Sequence, residues 1–309
     1  MSTQTLTWTR TEAIKHDRHV DRSNKGTQDS IAPKETTKSS GCPLHNLLNW
    51  EATGSLASRV SVFAFGLIAY FAFFGTICYA MGFVNNVIVP KSISSGEGGR
   101  LLPSLLINGA FLMAFAVQHT IMARKWFKQW VTRFIPTAME RSLFVILASA
   151  ILAGMFACWQ PLPYAIWEVT HPVARWSLIG LSFVGWAIVF YSTFIINHFD
   201  LFGLRQITIN LMGGQYRPVN FQLKGMYRFV RHPLMLGFLI AFWATPLMTV
   251  GHLFFAVMTT GYILFGVAVE ERDLVADFGE EYLAYRRQVP AFFPISFGKS
   301  VTTAKGGAA

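Results

Sequence analysis

Residues 60–83 read VSVFAFGLIAYFAFFGTICYAMGF, an unbroken run without one charged side chain. About 20 such residues cross the ~30 Å hydrocarbon core of a bilayer as an α-helix, the form that satisfies every backbone N–H and C=O within the segment. Three more uncharged runs follow at 104–122, 143–159 and 176–197. Residues 234–269 form a fifth apolar stretch, too long for one helix and interrupted at Pro246, Thr249, Gly251 and His252. It predicts a tight helical hairpin with spans at 234–249 and 252–269. The fold class is therefore an all-α integral membrane protein of about six transmembrane helices, the last two forming a hairpin, with the membrane domain over 56–296.

The composition agrees. Of 309 residues, 52% are hydrophobic and 14% charged, which excludes disordered, collagenous and disulfide-stapled classes. The formal charge of +10 sits between the apolar runs, so it reads as membrane-flanking charge and not as a nucleic-acid surface. Arg124, Lys125, Lys128, Arg133 and Arg141 follow the second span, and Arg205, Arg217, Lys224, Arg228 and Arg231 follow the fourth. The alternate loops carry only Lys91, Arg100 and Arg175, so both termini and both basic loops are expected in the cytoplasm. The segment RKWFKQWVTRF, 124–134, mixes cations with aromatic rings and suits a helix lying in the headgroup layer. Residues 1–55 and 297–309 are expected to be disordered tails, the first without a secretory signal pattern. Cys42, Cys78 and Cys158 have no paired spacing, and Cys42 with His45 is half a metal site at most, so no metal is expected.

Only ten acidic residues follow Ala52, and six of them, Glu270, Glu271, Asp273, Asp277, Glu280 and Glu281, fall within twelve positions at the end of the last apolar run. A carboxylate at the last turn of a membrane helix opposes the helix dipole and loses hydration, so it must face water or a cation. Glu270 and Glu271 lie nearest the bilayer; pairing with Arg231, Arg272 or Arg286 to close the helix end is one reading, ligand binding the other. Arg231-His232-Pro233 opens the fifth span, where proline suits a helix start and free N–H groups favour an anion. His232 is there either a hydrogen-bonded interfacial residue or a ligand contact. Arginines, a helix start, a carboxylate pair and Tyr227, Tyr282 and Tyr285 together suit a zwitterion with a cationic centre and an aromatic end, such as S-adenosylmethionine.

His232-Pro233 with Gly237, then Glu270-Glu271, Leu274, Phe278-Gly279, Tyr282, Tyr285, Val289-Pro290 and Pro294, resembles the C-terminal region of integral-membrane methyltransferases of the isoprenylcysteine carboxyl methyltransferase and phospholipid methyltransferase type. The match covers roughly seventy residues, and Met235 departs from it, standing where the family usually has Tyr. The resemblance implies a cytoplasmic cofactor site for S-adenosylmethionine carried by His232, Leu236, Gly237, Glu270 and Glu271, beside Tyr227, Tyr282 and Tyr285. A second stretch, FYSTFIINHFDLFGLRQ at 190–206, resembles the branch that holds methanethiol S-methyltransferases and NnrU-like membrane proteins.

That branch implies methylation of a small thiol, most simply methanethiol to dimethyl sulfide, with the bilayer as the route for an apolar substrate. Methylation of a prenylcysteine carboxylate or a phospholipid amine, or a non-catalytic membrane role, are the alternatives. Transfer to sulfur is an in-line displacement that gains from a thiolate, and an ordinary thiol ionises only near pH 8.5. His198 or His232 are candidates to accept the proton, and Arg205 or Arg231 to stabilise the anion. Asp200 stands beside them in sequence and is carried with them as a candidate catalytic residue. His198, Asp200 and Arg205 read equally well as interfacial residues that end a helix and orient a loop. His119 and His252, offered as haem ligands, lie at different span ends.

Overall fold

The computed structural model describes residues 50–217 and 225–293. Strand β1 (Trp50–Glu51) leads into helix α1 (Leu56–Asn85), whose start is capped by Ser55 Oγ accepting from the Ser58 N–H at 3.3 Å. Helix α2 spans Leu101–Met122, and the short α3 spans Lys125–Val131. A 3₁₀ turn, Thr137–Met139, enters α4 (Glu140–Cys158); β2 (Ala165–Glu168) then precedes α5 (Pro172–Ile196), which has proline in its first turn. Two short helices, α6 (His198–Leu201) and α7 (Leu204–Leu211), lead to β3 (Gln215–Tyr216). Helix α8 (Pro233–Trp243), β4 (Leu247–Thr249), α9 (Val250–Phe278) and α10 (Glu280–Gln288) complete the chain.

Among the described residues, five helices are long and apolar enough to cross a membrane: α1, α2, α4 with its leading turn, α5 and α9. Their outer faces display Phe71, Leu102, Trp176 and Leu264, all more than half exposed, a surface that only lipid solvates well. The protein is a multi-pass membrane protein. At eleven residues, α8 is about 16 Å long and crosses only part of a bilayer.

The ends of the bundle differ. At one, β2 pairs antiparallel with β4, Ser94 Oγ meets Thr249 Oγ1 at 3.1 Å, and Trp159 Nε1 donates to Ile93 O at 3.1 Å. An aromatic core of Phe83, Phe156, Trp159, Trp186, Phe242 and Phe255 fills the bundle beneath that end. At the other, β1 pairs with β3, Arg124 bridges Asp273 at 3.3 Å and Lys125 bridges Asp277 at 3.7 Å. The lightly charged and basic loops thus fall at opposite ends, as their alternation in sequence requires.

Three expectations need correction. The final two helices do pack on each other, with Trp243 Nε1 donating to Thr260 Oγ1 at 2.9 Å, but the turn between them is not tight. Residues 244–249 connect them as an extended segment, because Pro246 has no N–H to continue α8 and β4 finds its partners on β2. The main partner of α8 is α5, at a close approach of Gly185 and Gly237. A Cβ built on Gly237 would lie 2.7 Å from Gly185 O and 2.9 Å from Val189 N. Trp50–Glu51, assigned to the tail, is a strand, with Trp50 stacked on Tyr216 at 5.3 Å. Finally, Arg141 is no loop cation: it sits in the first turn of α4, buried, with Nε donating to Leu201 O at 2.6 Å. Residues 1–49 and 297–309 of the expected tails, with Cys42 and His45, lie outside the described residues, as do Lys224 and Pro294.

Candidate active site

A cavity of about 440 Å³ lies inside the bundle, within the ~300–1,000 Å³ usual for small-molecule sites. Its wall runs from Val84, Phe156 and Trp186 in the aromatic core to Arg124, Asp273 and Tyr282 at the charged end. All five long helices and α8 contribute to it. The inner part is almost wholly apolar, and the polar groups gather at one end.

There the two adjacent glutamates do different things, because neighbours on a helix point about 100° apart. Glu271 faces away from the cavity and is fully engaged. Its Oε1 accepts from Arg231 Nη2 at 2.7 Å, Arg231 Nε at 2.8 Å and His232 Nε2 at 3.1 Å, and its Oε2 lies 3.4 Å from Arg286 Nε. Arg231 goes on to donate to Arg286 O at 2.9 Å and to Val289 O, while the Arg231 and His232 amides donate to Pro290 O and Ala291 O. This knot ties the start of α8, the last turns of α9 and the segment after α10 into one unit. A carboxylate accepts only, so the 3.1 Å contact is donated by His232 Nε2–H, and Nδ1 lies 3.8 Å from Glu270 Oε2.

Glu270 lies on the cavity wall, and its buried Oε2 has no hydrogen-bond partner. An unpaired carboxylate oxygen in such a place is costly, and a cationic or N–H-bearing ligand group would satisfy it. Tyr227, Tyr282 and Tyr285 line the same end, with Tyr285 Oη donating to Tyr227 O at 2.7 Å. Burial holds all three phenols above their ordinary range, Tyr285 at about 12, and the Glu270 charge adds to the effect at Tyr227. They remain neutral, offering π-faces and O–H donors.

His198 also lines the cavity, 4% exposed, its ring stacked on Phe194 at 4.4 Å. Thr193 Oγ1 donates to Phe190 O at 2.7 Å, so its 2.9 Å contact with His198 must be received from Nδ1–H. Nε2 then accepts from Tyr70 Oη at 3.0 Å. Both nitrogens are occupied, and burial lowers the ring's affinity for a second proton.

Of the residues singled out from sequence, the structure gathers Tyr227, Arg231, His232, Glu270, Tyr282, Tyr285 and His198 around this one cavity. The others stand behind the wall. Leu236 is buried beside Met235, which itself faces the cavity, and Gly237 packs on α5. Asp200 is 1% exposed and accepts from Arg205 Nη1 at 2.9 Å and Tyr216 Oη at 3.0 Å; Arg205 also donates to Arg217 O at 3.0 Å. That cluster holds α6 and α7 against β3. Reading the sequence missed two wall residues, Arg141 and His119. The first looked like a flanking cation, and the second was weighed only as a haem ligand. A charge or imidazole inside the first or last turn of a span was the signal available. His252, by contrast, is fully buried, with Nε2 on Phe242 O at 2.9 Å, a contact that braces α8 against α9.

Fold and site together define a multi-pass membrane protein with a cavity of small-molecule size, apolar within and zwitterion-compatible at one end. The chain belongs to the methanethiol S-methyltransferase family. It is 48% identical over 244 residues to methanethiol S-methyltransferase 1 of Bradyrhizobium diazoefficiens, covering 79% of this chain and 86% of that protein. It is 46% identical over 236 residues to the methanethiol S-methyltransferase of Mycobacterium tuberculosis, covering 76% and 97%. Nurim of Bos taurus is 24% identical over 225 residues, covering 69% of this chain and 86% of that protein. No family model matches the chain, and no solved structure matches it.

Proposed function

We propose that this protein transfers a methyl group from S-adenosylmethionine to methanethiol, giving dimethyl sulfide and S-adenosylhomocysteine. The single observation that carries the reading is a cavity of small-molecule size in a chain 48% identical to a methanethiol S-methyltransferase, with the unpartnered Glu270 oxygen on its wall.

The residues at the charged end fit the donor. Glu270 would take its amino group or ribose hydroxyls, the phenols of Tyr227 and Tyr282 would face its cationic sulfur, and Arg231 with the start of α8 would favour its carboxylate. When bound, S-adenosylmethionine supplies an electrophilic methyl on a sulfonium. The chain's own task is to hold that end in register with the apolar interior, where a small thiol is sheltered from water by Phe115, Phe238 and Trp186. Glu271 keeps Arg231 and His232 in place without touching the cavity, and His198 fixes the wall at the junction of α5 and α6. The charged end faces the cytoplasm by the distribution of Lys and Arg, so the polar donor enters from the cytosol and the apolar thiol through lipid.

Headspace gas chromatography over membranes carrying the chain, supplied with S-adenosylmethionine and methanethiol, tests this. Dimethyl sulfide should form with the native chain and vanish with Glu270→Ala, together with binding of labelled S-adenosylmethionine. Native membranes that make none, or a Glu270→Ala variant with full activity, would overturn the assignment.

A further inference from the structure

Two polar groups on the cavity wall have no part in the machinery above. His119, in the last turn of α2, packs its ring against Phe115 at 5.2 Å, Phe144 at 4.7 Å and Tyr262 at 6.4 Å, and its buried Nδ1 has no hydrogen-bond partner. Arg141, in the first turn of α4, places its guanidinium 5.0 Å from the centroid of the same Phe144 ring, and its buried Nη1 likewise has no partner. Phe144 therefore carries an imidazole and a guanidinium, both lining the cavity. Arg141 is held from behind, by Leu201 O on its Nε and by the attraction of Glu140 and Asp200. A buried cation fixed at its root and unsatisfied at its tip is disposed for an anion.

Resting on the methyl-transfer reading, we infer that His119 and Arg141 form the thiol subsite: His119 accepts the proton of the thiol and Arg141 faces the resulting thiolate. His198 is poorly placed for the first role, since Thr193 and Tyr70 already occupy its two nitrogens. The balance is simple. The S–H proton passes to the imidazole, which becomes imidazolium. The thiolate lone pair forms the new C–S bond as the methyl–sulfonium bond breaks, its electron pair remaining on the donor sulfur. Both products are neutral thioethers, and His119 later releases its proton to water. Arg141 thus meets a negative charge before transfer and none after, which favours release of product. The rings of Phe115, Phe144 and Tyr262 border the pair, so the subsite selects for a small, ionisable sulfur nucleophile.

The test is kinetic, on full-length protein in membranes with saturating S-adenosylmethionine. His119→Gln should lower kcat for dimethyl sulfide about 100-fold, in the range usual for loss of a general base, with binding of labelled S-adenosylmethionine unchanged. Its residual rate should climb with pH in proportion to the thiolate in solution, whereas the native rate levels off at lower pH. The titratable and charged groups that share the cavity wall with His119 are Arg124, Arg141, His198, Tyr227, Arg231, His232, Tyr262, Glu270, Asp273, Asp277, Tyr282 and Tyr285. All are unchanged in that variant. Arg141→Gln should raise the methanethiol KM more than tenfold, with Arg141→Lys intermediate. A variant that does not fold will fail to bind S-adenosylmethionine; the native pH profile and Arg141→Lys then decide, and a native rate that tracks free thiolate throughout would overturn the inference. So would a His119→Gln rate above half the native one. Native membranes making no dimethyl sulfide would instead sink the parent reading.

Discussion

At the scale of single residues, the site turns on a division of labour between neighbours. Glu270 and Glu271 are chemically identical and adjacent, yet one meets the cavity with an unpartnered oxygen while the other holds two arginines and a histidine. Removing each should therefore hurt differently. Glu270→Ala removes only the 3.8 Å contact with His232, leaves the Arg231–Glu271 pair intact and should keep the native melting temperature in detergent. Glu271→Ala strands Arg231, whose side chain is 9% exposed, without its counter-charge, and should cost about 3–5 kcal/mol by thermal unfolding. Equal melting temperatures for the two variants would refute this assignment. The glutamate pair and the histidine were legible in sequence because charges are so scarce beyond residue 52. Which glutamate faces the cavity was not, since that depends on the rotation of α9 about its axis.

At the scale of elements, the helix start that carries His232 is positioned by α5. The backbones of α5 and α8 approach so closely at Gly185 and Gly237 that an added methyl has nowhere to go: a Cβ on Gly185 would lie 2.6 Å from Ala241 N. Such small-residue contacts are the usual means of close helix packing in lipid. Gly237→Ala should cost about 1–3 kcal/mol and lower both S-adenosylmethionine affinity and turnover by displacing His232. Gly75→Ala, in open space on α1, should be neutral or slightly stabilising in the same unfolding assay. The family resemblance marked Gly237 as part of the cofactor motif; its contacts show backbone clearance against α5, behind the cavity wall.

At the scale of the whole molecule, the two ends of the bundle have separate tasks. The end closed by β2 and β4 is fastened by short polar contacts over an aromatic core, while the other gathers the ion pairs and the polar part of the cavity. The distribution of Lys and Arg predicts that the first end faces away from the cytoplasm. In chains freed of other cysteines, Glu97→Cys should react with a membrane-impermeant maleimide on intact cells, and Gln288→Cys only after permeabilisation. Both positions are exposed in the structure. The reverse pattern would invert the topology and, with it, the side from which the donor enters.

Hydropathy by itself determined that the chain crosses a membrane several times as helices, and about where, because lipid admits no other backbone arrangement and leaves each span a signature as long as the bilayer is thick. Charge scarcity determined which end of the bundle gathers the carboxylates of the cavity. Only tertiary structure decided how α8 and α9 are joined, that Trp50–Glu51 forms a strand with residues 150 positions and more away, and that Asp200 and Arg205 brace the wall from behind. The same holds for His119 and Arg141, which lie on different helices and meet only across Phe144. Such pairings depend on helix rotation and inter-helix contact, and inside a membrane these are set by the fit of small and large side chains against one another, a property no single segment of sequence contains.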